Sequence, residues 1–549
     1  MNLESDLKNL IKGEVKTDDA TLEKFSTDAS LFKIKPAVVV FPKDVADVKA
    51  AVKFAAEQKR AGKDVSVTAR SAGTDMTGGP LTESVVLSFT EHMNHFEIDE
   101  STKTARTQPG VFYRDFEKAT LEKNLLMPSY PASKSLAAMG GIVNNNSGGE
   151  KTTRHGKTER FVNKVKMVLA DGNEYEFGKI MKEELERKKA QDNFEGEVYR
   201  KMHELVENNY DAIKKAKPDV AKNSAGYKLW DIWDREKGEF NMAQIFVGAQ
   251  GTLGFMTEAE IQLITPEPYT KLAAIFLPDI KELPQMVNEL LELEPEAIEA
   301  FDDETLKLAL RFFPSIAKMV PGENLLSLLV KFIPEALITL RMMKLPKMII
   351  LAQFAENEEE EAERKLEKAR EILGKYNAKV RYLYENEESE KYFVIRRKSF
   401  SLLREHVKGK RTAPFIDDFI VKPEHLPEVL PKVHAILKEY GIKETIAGHA
   451  ASGNFHIIPL MDLSREEERA KIPIVSKKIY DLVLEYKGSI TAEHNDGLIR
   501  SPYLKQMYGE EIYHLFEETK NIFDSENIFN PGKKVNSSME YAMKHIDHK

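Results

Sequence analysis

A stretch rich in glycine, serine and asparagine, residues 128–156, constrains the fold of this chain more than any other feature. A surface linker of that composition would be polar throughout, but the apolar run LAAMGGIV interrupts it and should be buried. Buried small residues leave a slot in which backbone and amide groups can hydrogen-bond a planar ring system. The stretch therefore predicts a buried ligand site that includes residues 144–149.

Length and charge limit the class of protein. At 549 residues the chain exceeds one comfortable hydrophobic core, so we expect two or more domains with room for a buried cofactor. The hydrophobic fraction of 42% and the charged fraction of 31% are typical of an ordinary soluble protein. Because the net charge is −9, the sequence gives no global indication of nucleic-acid binding.

The absence of cysteine excludes several kinds of site. Disulfides, thiolate metal sites, cysteine-linked cofactors and iron–sulfur clusters held in the usual way by this chain are ruled out. The first 19 residues carry charges throughout and contain no apolar core long enough for a signal peptide or a membrane span. We therefore expect a cytoplasmic location.

Strand and helix patterns alternate in two parts of the chain. In the first part, residues 37–41 are typical of a buried strand, apolar residues then recur at helical spacing, and further strands are expected at 64–69 and 84–89. In the second part, after Lys271, three strand–helix–strand units run to about residue 449. The fold class we predict is α+β, with the main domain boundary near residues 265–268.

Residues 311–347 differ from the rest of the chain. The segment is rich in leucine, phenylalanine and methionine and carries six basic and two acidic residues, and prolines break it into short pieces. It is therefore too interrupted to form a membrane-spanning helix. Two interpretations remain open, a helical insertion packed on the second domain and an interfacial patch that touches anionic lipid or a partner.

Two more glycine-rich segments are candidates for ligand binding. RSAGTDMTGG, residues 70–79, follows a strand, and its glycines would allow successive N–H groups to cradle a pyrophosphate. Gly79-Pro80 stands where a triphosphate loop needs Lys-Ser/Thr, so a triphosphate should not bind in that way. Taken alone, this segment is equally typical of a tight turn. Residues 247–261, VGAQGTLGFMTEAEI, taken alone are typical of a hairpin.

Histidines and a glutamate near the end of the second part suggest a metal site. GHAASGNFH places His449 and His456 on either side of a Ser-Gly-Asn turn, and Glu493 and His494 follow in TAEHNDG. Two imidazoles and a carboxylate suit a divalent ion such as zinc. The spacing alone equally fits a strand–loop–strand with satisfied polar histidines. Since neighbours on a regular strand point to opposite faces, Glu493 and His494 can serve one site only if the backbone turns there.

Seven segments, taken in order, resemble the FAD-linked oxidases of the vanillyl-alcohol oxidase/p-cresol methylhydroxylase superfamily over nearly the whole chain. The segments are TDASL, RSAGTDMTGG, PSYPASKSLAAMGGIVNNNSGG, GAQGTLGFMTEA, GHAASGNFH, TAEHNDG and NIFNPGK. Within the superfamily the chain is most similar to the D-2-hydroxy-acid branch, which includes D-lactate dehydrogenases, glycolate oxidase subunits and D-2-hydroxyglutarate dehydrogenases.

The resemblance implies a particular domain order. An N-terminal helical arm, 1–30, would precede an FAD-binding domain of the p-cresol methylhydroxylase type with two α+β subdomains, 31–268. A cap domain with a ferredoxin-like α+β repeat, 269–495, would carry the substrate. The C-terminal segment, 496–549, would return to the FAD-binding domain.

The resemblance also implies which residues bind FAD. The pyrophosphate would be wrapped by the loop Arg70, Ser71, Ala72, Gly73, Thr74, Asp75 and Gly78. The flavin and its ribityl chain would be lined by Pro131, Ser133, Gly140, Gly141, Asn145, Ser147, Gly148, Gly156, Gly251, Thr252, Gly254 and Phe255. Relatives with a histidyl-linked flavin carry a histidine in the first loop, where Thr74-Asp75 stands here, so we expect FAD to bind non-covalently.

By the same resemblance, His449, His456 and Glu493 would hold a divalent metal, with zinc the first choice. The metal would bind the substrate oxygens and lower the hydroxyl pKa, His494 would take the proton, and the Cα hydride would pass to flavin N5. Arg396 matches the substrate-side arginine, and Asn454 is a further candidate for polar contact with substrate. Arg396 lies in a basic cluster that, taken alone, is typical of a solvated helix face.

Two departures from the family pattern concern the metal site. The usual Gly-Asp between the histidines is Ala451-Ser452 here, and the usual Glu-His-Gly is extended to EHNDG. Loss of the aspartate removes a contact that orients a metal ligand.

Three other functions are alternatives to hydroxy-acid oxidation. A transferase like alkyl-dihydroxyacetonephosphate synthase should carry consecutive histidines where Glu493-His494-Asn495 stands. A flavin subunit that only relays electrons stays open. A nicotinamide dehydrogenase is disfavoured, because no G-x-G-x-x-G follows an early strand.

The expected partners follow from this interpretation. The substrate would be a small D-2-hydroxy acid, and the electron acceptor would be a quinone or an iron–sulfur or other electron-transfer protein. If residues 311–347 dock on lipid, the protein would lie peripherally on the inner face of the cell membrane. No nucleic-acid partner is expected.

Overall fold

A computed structural model describes most of the chain. The described residues are 3–312, 332–342, 344–385, 388–389, 391–397 and 409–548. Residues 313–331, the larger part of the predicted insertion at 311–347, lie outside them, so both interpretations of that segment stay predictions. Among the described residues, none of the helices is both long and apolar enough to span a bilayer.

The first sheet is small and mostly parallel. Its four strands are β1 (Glu14–Lys16), β2 (Val38–Phe41), β3 (Val67–Arg70) and β4 (Val85–Ser88). Their spatial order is β1-β2-β4-β3; β4 runs parallel to both β2 and β3, and β1 is antiparallel to β2. The helix Val45–Arg60 joins β2 to β3, as the apolar spacing predicts, and Asp44 caps its first turn. The turn after β3 is the first glycine segment.

The second sheet is antiparallel and has seven strands. These are β5 (Phe96–Asp99), β6 (Thr104–Thr107), β7 (Val162–Val168), β8 (Glu174–Met181), β9 (Trp233–Asp234), β10 (Glu239–Asn241) and β11 (Phe255–Gln262). The spatial order is β5-β6-β11-β7-β8-β10-β9. The glycine turn before β11 is not part of a hairpin, because the apolar run that precedes it forms the short helix Ala243–Phe246.

Helices cover this second sheet and connect its strands. They are Tyr113–Leu121, Met139–Asn145, Thr152–His155, Lys182–Lys189, Phe194–Asn208 and Tyr210–Ala216. Met139–Asn145 lies within the stretch 128–156 that is rich in glycine, serine and asparagine. The helix ends at Asn146, whose φ of 50° reverses the chain. The apolar run LAAMGGIV forms part of this short helix and its lead-in, and it is mostly buried from Ala137 onward, whereas Leu136 is 60% exposed, contrary to the expectation for the whole run.

The third sheet has eight strands and belongs to the second half of the chain. They are β12 (Tyr269–Leu277), β13 (Ala297–Asp302), β14 (Met348–Glu356), β15 (Lys379–Leu383), β16 (Arg411–Thr412), β17 (Phe419–Ile420), β18 (Lys443–His449) and β19 (Asn454–Met461). The order is β15-β12-β14-β13-β18-β19-β16, and β17 also pairs with β19. Helices packed with this sheet include Leu283–Leu291, Asp303–Arg311, Ile333–Met342, Glu359–Leu373, Leu426–Glu439 and Lys471–Glu485.

Both ends of the chain pack on distant parts of it. The N-terminal helices are Leu3–Lys8 and Asp19–Phe25, and the last helices are Gly497–Arg500, Leu504–Phe523 and Met539–Lys544. Asn530 donates hydrogen bonds to the carbonyls of Gly79 and Gln250, which ties the C-terminal segment to two glycine turns. Phe32 and Ile546 share the apolar core of the third sheet. The two halves of the chain are therefore joined by both termini.

Candidate active site

A cavity of about 900 Å³ is lined by residues from both halves of the chain. One wall consists of the turn after β3, the helix Met139–Asn145 with the residues after it, and the turn before β11. The opposite wall carries His449, His456, Glu493 and His494. Three glycine segments that are far apart in sequence thus meet the histidine cluster in one enclosure.

Most residues implied by the resemblance line this cavity. They are Arg70, Ser71, Ala72, Gly73, Thr74, Asp75, Pro131, Ser133, Gly140, Gly141, Asn145, Ser147, Gly148, Gly251, Gly254, Phe255, Arg396, His449, His456, Glu493 and His494. Gly78, Gly156, Thr252 and Asn454 are described by the structure but are not part of the cavity wall.

The four residues outside the wall have structural contacts. A Cβ at Gly78 would lie 2.7 Å from the Phe32 ring, and one at Gly156 would meet the Arg160 side chain. Both glycines have φ near 80°, so they shape turns. Thr252 Oγ1 donates to the Ala249 carbonyl at 2.7 Å. These residues support the cavity rather than face it.

Asn454 does not lie where the prediction of a substrate contact requires. Its side chain is fully buried, and Nδ2 donates to Asp418 Oδ1 and to the Phe419 carbonyl, both at 3.1 Å. Asn454 is the first residue of β19, next to the strand β17. It therefore fixes Asp418 and does not line the cavity, and its contact with substrate stays a prediction.

Adjacent glycines in the helix Met139–Asn145 have different surroundings. A Cβ at Gly140 would lie 2.4 Å from Ser71 Oγ and 2.7 Å from Pro109 Cβ, so close packing excludes a side chain there. A Cβ at Gly141 would meet only Ser71 Cβ, at 3.9 Å, so a side chain at 141 would enter the cavity. This open cradle, together with the glycine-lined wall, fits a large planar cofactor such as FAD.

The first glycine loop is held by its own carboxylate. Asp75 Oδ2 accepts hydrogen bonds from Gly79 N at 2.6 Å and Thr77 Oγ1 at 2.8 Å, and its Oδ1 accepts one from Asn145 Nδ2 at 3.1 Å. The Arg70 guanidinium donates to the Thr27 carbonyl at 2.8 Å. The loop is thus fixed against both the second glycine segment and the N-terminal arm.

The opposite wall contains ion pairs that reach the histidines. Glu299 is completely buried; its Oε1 lies 2.6 Å from His449 Nδ1, and its Oε2 pairs with Arg396. Glu493 Oε2 lies 3.3 Å from His449 Nε2, and Glu493 Oε1 lies 2.6 Å from Lys222 Nζ. Burial alone would raise the pKa of Glu493, but His449 and Lys222 outweigh it and hold that pKa well below the usual range.

Two aspartates stand behind the other histidines. Asp417 Oδ2 lies 2.6 Å from His494 Nδ1, and Asp417 Oδ1 lies 3.1 Å from His456 Nδ1. The two imidazoles stack, with centroids 4.8 Å apart and planes at 18°. Burial opposes the charged form of His494, but the carboxylates of Asp417 and Asp418 outweigh it and raise its pKa to about 9.

The Asp418 carboxylate shapes the backbone that carries Glu493 and His494. Its Oδ2 accepts hydrogen bonds from the backbone N–H groups of residues 492, 493 and 494 at 2.7–3.0 Å. Asn495, with φ of 69°, then turns the chain. Because these hydrogen bonds hold the backbone around the Asp418 carboxylate, it does not continue as a strand. Glu493 and His494 therefore both line the cavity.

A divalent metal fits the donor set of this wall. Among the described residues, ligand atoms of Asp418, His456, Glu493 and His494 lie within 4.8 Å of one another, and His449 Nε2 borders Glu493. Asp418 is already engaged by N–H donors on both oxygens, so it is a poor ligand. Imidazole nitrogens and the Glu493 carboxylate remain, and these are donors that zinc accepts.

Four residues that contact this wall or belong to it were not predicted from the sequence, namely Lys222, Glu299, Asp417 and Asp418. Three of them had a weak signal. Glu299 stands inside the apolar run AIEAF, and the two aspartates stand inside FIDDFI, where charged residues are rarely buried unless they are paired. Lys222 begins KNSAGY and has no such context.

The fold and the glycine-lined cavity define a class, the flavoproteins with an FAD-binding domain of the p-cresol methylhydroxylase type. The FAD binding domain family matches residues 36–178, and the family of FAD linked oxidases, C-terminal domain, matches residues 267–534. These matches cover most of the chain. The chain therefore belongs to the FAD-linked oxidases, a family of flavin-dependent oxidoreductases.

Individual relatives agree with this assignment. The chain is 28% identical over 531 residues to a D-2-hydroxyglutarate dehydrogenase from Pseudomonas putida, covering 95% of this chain and 50% of that protein. It is 26% identical over 533 residues to the glycolate oxidase subunit GlcD of Bacillus subtilis, covering 95% and 94% of the two chains. The first curated relatives are longer, and the chain spans about half their length.

Solved structures share the fold. The 4-ethylphenol oxidase from Gulosibacter chungangensis superposes with a TM-score of 0.68 at 17% identity, covering 98% of this chain and 97% of that one.

Proposed function

We propose that this protein binds FAD non-covalently and oxidises a small D-2-hydroxy acid, such as D-lactate, glycolate or D-2-hydroxyglutarate, to the 2-oxo acid. The observation that carries the proposal is the contact between the two walls of the cavity. Because residue 148 is glycine, Glu493 can pack against it, and a Cβ at that position would lie 2.8 Å from Glu493 Oε1. The names of the relatives support hydroxy acids as the substrate class.

The flavin would lie along the glycine wall. Residues of the turn after β3 would face the pyrophosphate, and Gly141, Asn145 and Gly148 would face the ring and ribityl chain. FAD, when bound, supplies a hydride acceptor at this wall. In the first loop, Thr74 and Asp75 stand where relatives with a linked flavin carry a histidine, which supports a dissociable cofactor.

A divalent cation is part of the proposal. His449, His456 and Glu493 would hold it, and a bound cation would lower the pKa of the substrate hydroxyl. The donor chemistry of these residues supports zinc as the first choice.

His494 is proposed as the general base. Its Nε2 would accept the hydroxyl proton, and its Nδ1 would keep its hydrogen bond to Asp417. Because the carboxylates of Asp417 and Asp418 outweigh burial and raise its pKa to about 9, the imidazole must lose a proton before it can act as a base at neutral pH. Positive charge placed beside it lowers that pKa, which links its function as a base to cation binding.

Arg396 is proposed to bind the substrate carboxylate. It is mostly buried, lines the cavity, and lies 3.4 Å from His449 through Nη2. Glu299 pairs with its Nε edge, which orients the guanidinium.

We also propose the domain division at residues 31–268 and 269–495, and an external electron acceptor. A quinone or an iron–sulfur or electron-transfer protein would reoxidise the flavin, because the chain contains no cysteine to hold a cluster of its own. Docking of residues 311–347 on a membrane is the proposed route to quinone. Deleting those residues should reduce sedimentation with anionic liposomes; unchanged sedimentation would contradict that route.

The test of the function is a dye-reduction assay on the purified, full-length protein with paired D- and L-2-hydroxy acids. We expect a yellow protein that reduces dye with a D acid, and loss of that activity after treatment with a chelator. A colourless protein that takes up no FAD would contradict the proposal. Bleaching of the flavin by a D acid without any partner protein excludes a subunit that only relays electrons.

A further inference from the structure

We propose that Asp417 is a positioning residue: its single carboxylate holds His456 and His494 together, each with a proton on Nδ1, so that both rings present Nε2 to a ligand. The two contacts are separate, since Oδ2 serves His494 at 2.6 Å and Oδ1 serves His456 at 3.1 Å. This inference rests on the proposed function only for the use of the site.

The tautomers follow from the chemistry of the acceptor. An ionised carboxylate has no proton to donate, so a ring nitrogen that bonds to it must carry the hydrogen. Asp417 is completely buried and has a ring nitrogen of His494 or His456 on each of its oxygens, so its carboxylate is the acceptor in both contacts. Each neutral ring then has its lone pair on Nε2, the atom that remains for a metal or a substrate proton.

The parallel arrangement of the rings agrees with a shared anchor. Their planes differ by 18° and their centroids are 4.8 Å apart. Asp418 Oδ1 lies 3.9 Å from His456 Nδ1, too far for a hydrogen bond, so it does not replace Asp417. Asp417 is therefore the carboxylate that both rings use.

The backbone fixes Asp417 in this place. Its side chain is fully buried, and Arg500 donates from Nη2 to its carbonyl. The next residue, Asp418, has φ of 74°, a conformation that non-glycine residues rarely adopt. This turn lets successive carboxylates reach the same segment, where Asp418 binds the backbone N–H groups and Asp417 binds the ring.

Asp417 also accounts for a departure from the family pattern. Residue 452, where the resemblance calls for aspartate, is a serine whose Oγ donates to the His449 carbonyl. The carboxylate behind His456 comes instead from the segment before β17. Together with Glu299 behind His449, this gives all three imidazoles of the wall a carboxylate on Nδ1. Such partners fix the orientation of metal-binding histidines.

The experiment measures Zn²⁺ affinity in the FAD-loaded, full-length protein by competition with a chromophoric chelator. Asn at position 417 keeps the size but leaves one acceptor for two rings, so we expect Asp417→Asn to weaken Zn²⁺ binding about 10–100-fold. The flavin content should match the wild type. Asp462→Asn, which removes a carboxylate that accepts hydrogen bonds from Ser464 in a surface turn, is the matched control and should leave the affinity unchanged. Equal Zn²⁺ affinity in Asp417→Asn and wild type would overturn the inference.

A second measurement uses the wild-type protein and therefore does not depend on whether a variant folds. Long-range ¹H–¹⁵N spectra of the ¹⁵N-histidine-labelled wild type should show a proton on Nδ1 of both His456 and His494; a proton on Nε2 alone in either ring would contradict the inference. The proposed function can be wrong while this inference holds. If both rings carry a proton on Nδ1 and Asp417→Asn binds Zn²⁺ more weakly, but the protein oxidises no hydroxy acid, the inference holds and the proposed function is wrong.

Discussion

Lys222 Nζ lies 2.6 Å from Glu493 Oε1, and both side chains are buried. Glu493 is therefore already paired with the Lys222 ammonium, and a bound metal would share the Glu493 carboxylate with Lys222 and His449. Removing one partner of a buried pair leaves an uncompensated charge.

Lys222→Met should lower the free energy of unfolding by about 3–5 kcal/mol in metal-free buffer, because Glu493 loses its ammonium partner. Added Zn²⁺ should restore part of that loss, since a divalent cation can compensate the same carboxylate. Denaturant midpoints with and without Zn²⁺ measure both effects. Lys217→Met removes an exposed pair with Asp231 and should cost less than about 1 kcal/mol. Equal losses in the two variants would show that the buried pair contributes nothing special.

Gly141→Leu should fold but fail to hold FAD, because a Cβ at 141 would have Ser71 Cβ, at 3.9 Å, as its nearest neighbour outside its own helix among the described residues, and the new side chain enters the cavity. Gly140→Ala should instead lower the Tm of the FAD-free protein, because its Cβ overlaps Ser71 and Pro109. The ratio of flavin to protein absorbance and the Tm of the FAD-free protein separate the two. Normal FAD content in Gly141→Leu would place the flavin elsewhere.

His494→Gln should lower kcat about 10²–10⁴-fold, as expected when a general base is lost. FAD content should stay as in the wild type. His434→Gln is the control, because His434 is exposed and pairs with Glu444 away from the cavity. Steady-state dye reduction measures the effect. If kcat survives while Zn²⁺ binding falls, His494 is a metal ligand and another group accepts the proton.

Arg396→Lys should raise KM for the hydroxy acid about 10–100-fold, because an ammonium retains the charge but loses the fork that binds a carboxylate. The change in kcat should be smaller than that in KM. Arg364→Lys, on an exposed helix beside Glu361, serves as the control. Substrate saturation curves test it, and an unaltered KM would remove Arg396 from the substrate site.

Glu296→Gln should make stability less dependent on pH. Burial alone would raise the pKa of Glu296, but His155 and Lys151 outweigh it and lower that pKa to about 2. Because this value lies below the unfolded value of 4.5, the carboxylate stabilises the protein above about pH 4.5 and loses that effect as the pH falls towards 2. The contribution at neutral pH is about 3 kcal/mol.

The measurement compares denaturant midpoints of wild type and Glu296→Gln from about pH 6 to pH 3. The difference should shrink as the pH falls. The exposed Glu292→Gln should instead follow the wild type at every pH. Parallel curves for wild type and Glu296→Gln would mean that Lys151, which lies 2.6 Å away, does not stabilise the ionised carboxylate.

The three glycine segments could be interpreted from sequence because their requirements are local. A turn with positive φ, such as that at Gly73 with φ of 72°, favours glycine whatever surrounds it. For the same reason the alternation of strands and helices was visible, as in β2, the helix Val45–Arg60 and β3. The hairpin expected at 247–261 was wrong, since a four-residue helix and a strand have similar apolar runs.

The sequence by itself predicted the fold class and, through its resemblance to a known family, the glycine-rich site segments and the group of His449, His456, Glu493 and His494. Tertiary structure alone decided what stands behind that group. Glu299 faces His449 because β13 pairs with β18 in that register, and Lys222 reaches Glu493 across 271 positions of the chain. A buried charge is stable only beside its partner, and strand register and chain crossing, which no local pattern encodes, determine which partner that is.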